Sequence, residues 1–95
     1  MKRLHNFLVN KGKYTLLING KKNGRHVELY DNGVIKCISN WVDGVKHGDS
    51  RKNFKTGKIM SLSKFIHGKV HGTVIIWDNT GKLHMRKKYI NGRLS

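Results

Sequence analysis

Glycine recurs along this chain at a fixed interval of 24 residues, and this interval restricts the fold more than any other feature. Three columns of glycine keep the interval: Gly20, Gly44, Gly68 and Gly92; Gly24, Gly48 and Gly72; and Gly33, Gly57 and Gly81. An aromatic column has the same interval, with Trp41, Phe65 and Tyr89, and with Leu17 at the equivalent first position. Four columns in register indicate tandem copies of one structural unit.

Each copy has the composition of two strands joined by a turn. In the first full copy, residues 25–30 and 34–42 are rich in β-forming residues, and the turn sequence Asp-Asn-Gly separates them. Such turn sequences tolerate the positive φ angles of tight hairpins. The glycine density and the absence of a 3.6-residue period argue against helices. In the third copy Trp77 lies one residue earlier than Tyr30 and Phe54 would predict.

The sequence therefore predicts an all-β fold: a single-domain, elongated antiparallel β-meander of tandem 24-residue hairpin repeats, with about seven or eight strands. The domain spans residues 1–95, with a degenerate hairpin at residues 1–19 and repeats at about residues 20–43, 44–67 and 68–92. Because an isolated hairpin is marginally stable in water, each repeat is expected to depend on its neighbours.

The longer strand of each repeat alternates between two faces. One face is apolar at its ends and small in the middle, and we expect it to form a thin core topped by an aromatic stack. Its residues are Ile35, Cys37, Ser39 and Trp41; Ile59, Ser61, Ser63 and Phe65; and Leu83, Met85, Lys87 and Tyr89. The other face is mixed and becomes more basic toward the C-terminus.

The repeat resembles a known family. An aromatic-x-x-Gly-Lys-x-x-Gly pattern, followed after roughly six residues by an aromatic and then x-x-Gly, is similar to the MORN repeat, and most similar to its bacterial variant of about 24 residues. The resemblance covers about residues 14–92, and it rests on the ten glycines from Gly20 to Gly92 in the columns above and on five aromatics. These aromatics are Tyr30, Trp41, Phe54, Phe65 and Tyr89.

The resemblance implies an all-β repeat fold without catalysis, and it supplies no catalytic residue to carry over. MORN repeats have been linked to phospholipids and to protein partners, and the bacterial variant occurs in small proteins described as antitoxins of toxin–antitoxin systems. This chain departs from the family in charge, because MORN repeats are usually closer to neutral.

Charge is the main clue to a partner. Twenty Lys and Arg residues stand against five Asp and Glu residues, for a formal net charge of +15. Such an excess favours a polyanionic partner, and RNA is expected more than DNA. The residues predicted to bind nucleic acid are Lys36, Lys58, Lys64, Lys82, Arg86 and Lys88 on one face of the longer strands, with Arg51 and Lys52 from the shorter strands.

Catalysis and metal binding are not expected. Four of the five carboxylates lie in or beside predicted turns, and Glu28 is expected to pair with a lysine. No histidine pair has the spacing of a zinc motif, and the single Cys37 supplies too few thiolates, so no metal or other cofactor is predicted. His47 and His71 occupy equivalent turn positions, with Asn23 in the remaining repeat, which indicates a structural role.

The sequence thus predicts a non-enzymatic basic protein that binds RNA through a cationic sheet face. It could act as an antitoxin, or as a phage counter-defence inhibitor, against an RNA-cleaving toxin. Two alternatives remain open: an inhibitor or scaffold that docks on an acidic protein, and a module that binds anionic phospholipid. A homo-oligomer could form by pairing of edge strands. No membrane-spanning run or signal sequence is evident, so a cytoplasmic location is expected, in the host if a phage encodes the protein.

Overall fold

The computed structural model describes the backbone of residues 5–10 and 12–95, and the side chains of residues 12–95. These residues form one antiparallel sheet and no helix. Its strands are β1 (His5–Asn10), β2 (Lys13–Ile18), β3 (Lys21–Leu29), β4 (Ile35–Val42), β5 (Val45–Lys46), β6 (Gly48–Asn53), β7 (Ile59–Ile66), β8 (Lys69–Val70), β9 (Gly72–Trp77), β10 (Leu83–Ile90) and β11 (Arg93–Leu94).

The strands follow one another across the sheet as a meander. The spatial order is β1-β2-β3-β4-β6-β7-β9-β10-β11, while β5 pairs with β4 and β8 pairs with β7. The predicted antiparallel all-β fold is therefore confirmed. Among the described residues, eight strands have six residues or more, and three two-residue segments add to them. These short segments follow the repeated turns, and a single residue, His47 or His71, separates β5 and β8 from the next strand.

The repeated turns explain the first glycine column. Asn19, Asp43, His67 and Asn91 have φ angles of 46° to 52°, and the glycine after each has a φ of 78° to 82°. Two consecutive residues with positive φ define the type I′ turn, whose twist matches that of the strands it joins. Glycine is the favoured second residue, because it adopts this conformation without steric cost.

Neighbouring turns are joined by backbone and side-chain hydrogen bonds. The amide of Gly44 donates to the carbonyl of Lys22 at 2.8 Å, and Gly68 and Gly92 make the same bond to the preceding repeat. The side chains of the equivalent Asn23, His47 and His71 each accept a bond from the first backbone amide of the next turn, at 2.9, 3.2 and 3.3 Å. The structure thus confirms the structural role predicted for both histidines.

The turns at the other end of the strands explain why Trp77, the aromatic of the third repeat, is displaced by one residue. Tyr30, Phe54 and Asp78 each donate a backbone bond across the turn, at 2.8, 2.8 and 2.9 Å, so these three residues are equivalent. The Asp78 carboxylate accepts bonds from the amides of Thr80 at 2.9 Å and Lys82 at 3.0 Å. A carboxylate that closes the turn thus replaces the aromatic there, and Trp77 lies in the strand before it.

The sheet is a single layer, and this corrects the expectation of a thin apolar core. The Cα atoms extend over 48 × 35 × 11 Å. No apolar side chain of residues 12–95 is buried, and the buried residues are instead polar: Thr15, His26, Ser39, Ser50 and Asn53. Since no second layer of described residues covers it, the first face keeps its larger apolar side chains partly exposed, and Ser39 and Ser50 between them are buried. The Trp41 indole, for example, donates a bond to the Ser39 hydroxyl at 2.9 Å.

The aromatic column lies on this face, and lysines cover two of its rings, those of Trp41 and Phe65. The Lys22 ammonium lies 4.7 Å from the centroid of the Trp41 ring, and the Lys46 ammonium lies 4.7 Å from that of Phe65. Cation–π attraction and the aliphatic lysine stems therefore replace the missing second layer over the rings.

Candidate nucleic-acid interface

Strand register assigns the cationic side chains to faces of the sheet. Arg51 lies between Ile38 and Leu62, and Ile75 lies between Leu62 and Arg86. Directly opposed residues of an antiparallel pair share a face. The face that carries this row is called the basic face below. Residues from the adjacent row of the same face are Arg25, Asn40, Asp49, Lys64, Thr73 and Lys88.

The opposite face is called the serine face. It carries Ser39, Ser50, Ser61 and Ser63, together with Cys37 and Lys52. It also carries the aromatic column and its lysines. Both faces lack a covering layer, so the difference in their side chains decides which of them suits a polyanion.

The basic face contains an open groove of about 560 Å³. Its floor is apolar, with Ile38, Leu62 and Ile75. Arg25, Arg51 and Lys64 supply the cations of its lining, and Asp49 is the one carboxylate among the described residues that line it. Asp49 is opposed in register to Lys64, and its backbone carbonyl accepts a bond from the Asn40 side chain at 2.8 Å.

The structure brings most of the predicted residues together. Register places Arg51, Lys64, Arg86 and Lys88 on the basic face, and alternation from Ile38 adds Lys36, which the bulge of β4 leaves without a register partner. Lys58 and Lys82 lie at the ends of turns, immediately before the first residues of β7 and β10. Both accept a turn-closing bond at their backbone carbonyls.

Lys52 does not join this group. It pairs with Cys37 on one side and with Ser61 on the other, which places it on the serine face. Its neighbour Arg51 has the opposite orientation because successive strand residues alternate. Arg25, in contrast, lines the groove and is absent from the predicted set. The sequence signal for Arg25 is the alternation of the shorter strands, because residues 25, 49 and 73 occupy equivalent positions and Asp49 is two residues from Arg51, on the same face.

The cations of the basic face make no ion pair within the described part of the chain. Its ion pair is Lys13 with Glu28 at 3.5 Å, the His26 imidazole lies 3.7 Å from the same carboxylate, and both contacts involve the serine face. Arg51 donates from Nε to the Asn53 side-chain oxygen at 2.9 Å, which orients its guanidinium without cancelling the charge. The groove therefore presents its positive charge to whatever enters it.

Comparison with known proteins gives a likeness in structure. No family model matches the chain, and no curated protein matches it. A structure described as accessory secretory proteins 1, 2 and 3 in Streptococcus pneumoniae contains a similar sheet, with a TM-score of 0.53 and 21% sequence identity. The match covers 88% of this chain but 17% of the other chain. At this identity the likeness shows the fold alone, and the resemblance to the MORN repeat stays a prediction.

Proposed function

We propose that this protein binds single-stranded RNA through its basic face. The observation that carries the proposal is the open groove whose cations, Arg25, Arg51 and Lys64, have no carboxylate partner within 4.0 Å among residues 12–95. The positive face extends beyond the groove along β10, where Arg86 and Lys88 are exposed.

Charge supports a phosphate backbone as the ligand. Each phosphate contact releases condensed counterions, and about six contacts already give binding that falls steeply with salt. The chain has a formal net charge of +15, so association with a polyanion also relieves repulsion within the sheet.

The shape of the basic face supports a single strand over a duplex. An open sheet groove is too shallow to grip a double helix, whereas it can follow one backbone and contact splayed bases. The apolar floor of Ile38, Leu62 and Ile75 offers a surface for base faces, while the cations contact phosphates. Tyr14 opposes Val27 in the same row and is 45% exposed, so one aromatic ring is also open to stacking.

With one exposed ring in this row, the expected sequence preference is weak. Base stacking on aromatic side chains is tolerant of sequence, and base-edge recognition needs side chains held in fixed positions. In an antitoxin or a phage inhibitor, the same face would let the protein bridge RNA and an RNA-cleaving toxin. That extension of the proposal rests on the resemblance to the MORN repeat.

The test is a salt titration of nuclease-treated protein with labelled single-stranded RNA, followed by fluorescence anisotropy. With about six phosphate contacts, the logarithm of the association constant should fall with the logarithm of salt concentration at a slope of about −4. Single-stranded DNA of the same sequence measures the contribution of the 2′-hydroxyls. Absence of binding at low salt would overturn the proposal.

Two variants with the same net charge separate the basic face from overall charge. Arg86→Gln with Lys88→Gln removes two cations from the basic face, and the salt slope should become shallower by about 1.4. Lys52→Gln with Lys87→Gln removes two exposed cations from the serine face, and the slope should stay near that of the unaltered protein. Equal effects of the two pairs would show that binding depends on net charge alone.

The same preparation tests the alternatives. A nucleic-acid-free protein that ignores RNA but floats with anionic liposomes would indicate a phospholipid ligand. A complex of fixed stoichiometry that survives nuclease would indicate an acidic protein partner.

A further inference from the structure

A second group of polar side chains converges on the serine face, over β3 and β4. His26 and Glu28 alternate along β3, and Cys37 of β4 is opposed in register to Glu28. One ligand atom from each of the three residues lies within 4.8 Å of the other two. His26 is buried, and Glu28 and Cys37 are half-buried. An imidazole, a carboxylate and a thiol at this separation form a set of metal ligands.

We propose that His26, Glu28 and Cys37 bind a divalent cation of the zinc class. Sulfur and imidazole ligands favour zinc over calcium or magnesium, which prefer oxygen ligands alone. Three protein ligands leave the fourth tetrahedral position to water, as in zinc sites that remain open. The site lies on the face opposite the groove, so the proposal is independent of RNA binding.

A neighbouring residue orients the imidazole. The Thr15 hydroxyl and His26 Nδ1 are joined by a hydrogen bond, and Thr15 is 3% exposed. Metal binding needs the tautomer that donates from Nδ1 to Thr15, because it leaves the lone pair of Nε2 for the metal on the side of the Glu28 carboxylate, 3.7 Å away. A hydrogen bond from the ring nitrogen that does not bind the metal fixes the tautomer and the ring orientation of metal-binding histidines. Thr15 is therefore a positioning residue in the proposed site.

The proton of Cys37 is what the metal must displace. Without metal, the Cys37 thiol donates to Glu28 Oε2 at 2.9 Å. Burial, assisted by this bond, raises the pKa of Cys37 to about 11, and the same bond lowers the pKa of Glu28. Binding breaks the sulfur–hydrogen bond, forms a metal–sulfur bond and releases the thiol proton to solvent.

Lys13 competes with the metal. Its ammonium lies 3.5 Å from Glu28 Oε1, and its side chain is 59% exposed. A metal ion must share or displace this interaction. Lys13→Gln removes the ammonium, so it should tighten metal binding. Weaker binding by this variant would contradict the competition, because it would mean that the ion pair holds Glu28 in place for the metal.

The experiment is a titration of the full chain with Co²⁺, a spectroscopic substitute for zinc. We expect a thiolate-to-cobalt charge-transfer absorption that saturates at one equivalent. Cys37→Ser should abolish it, and Thr15→Val should weaken the affinity by about tenfold or more. His84→Asn is the matched control, because His84 is an exposed histidine of β10 outside the cluster. It should leave the titration unchanged.

A second measurement avoids substitution altogether. Zn²⁺ should slow alkylation of Cys37 in the unaltered protein and release one proton per ion in weakly buffered solution. Absence of the charge-transfer band, or alkylation that proceeds equally fast with Zn²⁺, would overturn the proposal.

His26→Gln and Glu28→Gln variants that bind the metal as well as the unaltered protein, while retaining its circular dichroism spectrum, would also overturn the proposal. None of these measurements involves RNA, so failure here leaves the RNA proposal standing.

Discussion

His71 shows how single residues connect the repeats. Its Nδ1 accepts a bond from the amide of Asn91 at 3.3 Å, as Asn23 accepts one from Asp43 at 2.9 Å. Two chemically different side chains thus perform the same task at equivalent positions. The feature they share is a short side-chain acceptor, which satisfies an amide of the next turn.

This equivalence predicts the effect of substitution at His71. His71→Ala should lower the free energy of unfolding by about 1 kcal/mol, because it removes the acceptor. His71→Asn should remain near the stability of the unaltered protein, because Asn23 already makes this bond in the first repeat. Urea denaturation measures both. An Asn variant as unstable as the Ala variant would show that the imidazole contributes through its ring and not through the bond.

His26 predicts a pH dependence of stability. Burial lowers the pKa of His26, assisted by Lys22, against a smaller opposing effect of Glu28. The unfolded chain therefore takes up this proton at higher pH than the folded sheet does. Stability should fall as the pH drops through the ordinary histidine value of about 6.5, and level off below the lowered pKa.

The test compares urea denaturation of the unaltered protein and His26→Gln, in the presence of a chelator, over the range from pH 8 to pH 5. The Gln variant should lose the part of the pH dependence that falls below about 6.5. Parallel profiles for the two proteins would show that His26 does not contribute.

At the scale of the element, the type I′ turns set how closely adjacent hairpins stack. A Cβ at Gly68 would lie 3.1 Å from Val45 Cγ1, whereas a Cβ at Gly20 would meet nothing within 4 Å. Both glycines have φ near 80°, so the strain of an alanine there is similar. The two sites differ in the contact with the preceding hairpin.

We therefore expect Gly68→Ala to destabilise more than Gly20→Ala. The shared cost of a left-handed conformation is about 1–2 kcal/mol. Adding Val45→Ala to Gly68→Ala should recover the excess, because it removes the crowded methyl group. Thermal denaturation of the three variants, with Val45→Ala alone as the reference, measures the coupling. Equal losses at Gly20 and Gly68 would contradict a steric limit on hairpin stacking.

The turns were also the part of the fold most open to prediction. Each type I′ turn needs only two residues of suitable φ, so a local sequence is sufficient to specify it. The predicted strand at residues 34–42 agrees with β4 to within one residue. The two-residue segments β5, β8 and β11 were not predicted, because they form only when the preceding turn brings them back onto the strand before it.

At the scale of the whole molecule, the repeats contact their neighbours within one layer, and residues 12–95 form no shared apolar core. This predicts that a full repeat can be removed. Deleting residues 44–67 joins Asp43 to Gly68, which restores the turn and keeps every later residue on its face. The shorter chain should fold with lower stability, since the number of inter-repeat contacts falls.

The matched control deletes residues 44–55, which is half a repeat. This control removes a turn and leaves the following strand without the hairpin that positions it. Circular dichroism and thermal denaturation should show a folded sheet for the first deletion and an unfolded chain for the second. Loss of structure in both would mean that the sheet folds only as a whole.

The sequence alone determined the repeat period, the positions of the turns, the antiparallel meander and the large excess of positive charge. These properties depend on local backbone preferences and on composition, and both can be read residue by residue. Alternation also placed Lys36, Lys64, Arg86 and Lys88 on one face, since period two is a property of any strand.

The tertiary structure decided which side chains meet across strands and what is buried. The groove and the grouping of His26, Glu28 and Cys37 depend on the pairing register of the strands. Bulges shift this register between Tyr14 and Leu16 and between Glu28 and Leu29. A 24-residue period does not fix those offsets. Nor does it show whether a second layer covers the sheet, because an apolar residue in a strand can face either a partner or water. Here the described part of the chain forms one layer, so small polar residues are buried and the basic face remains open.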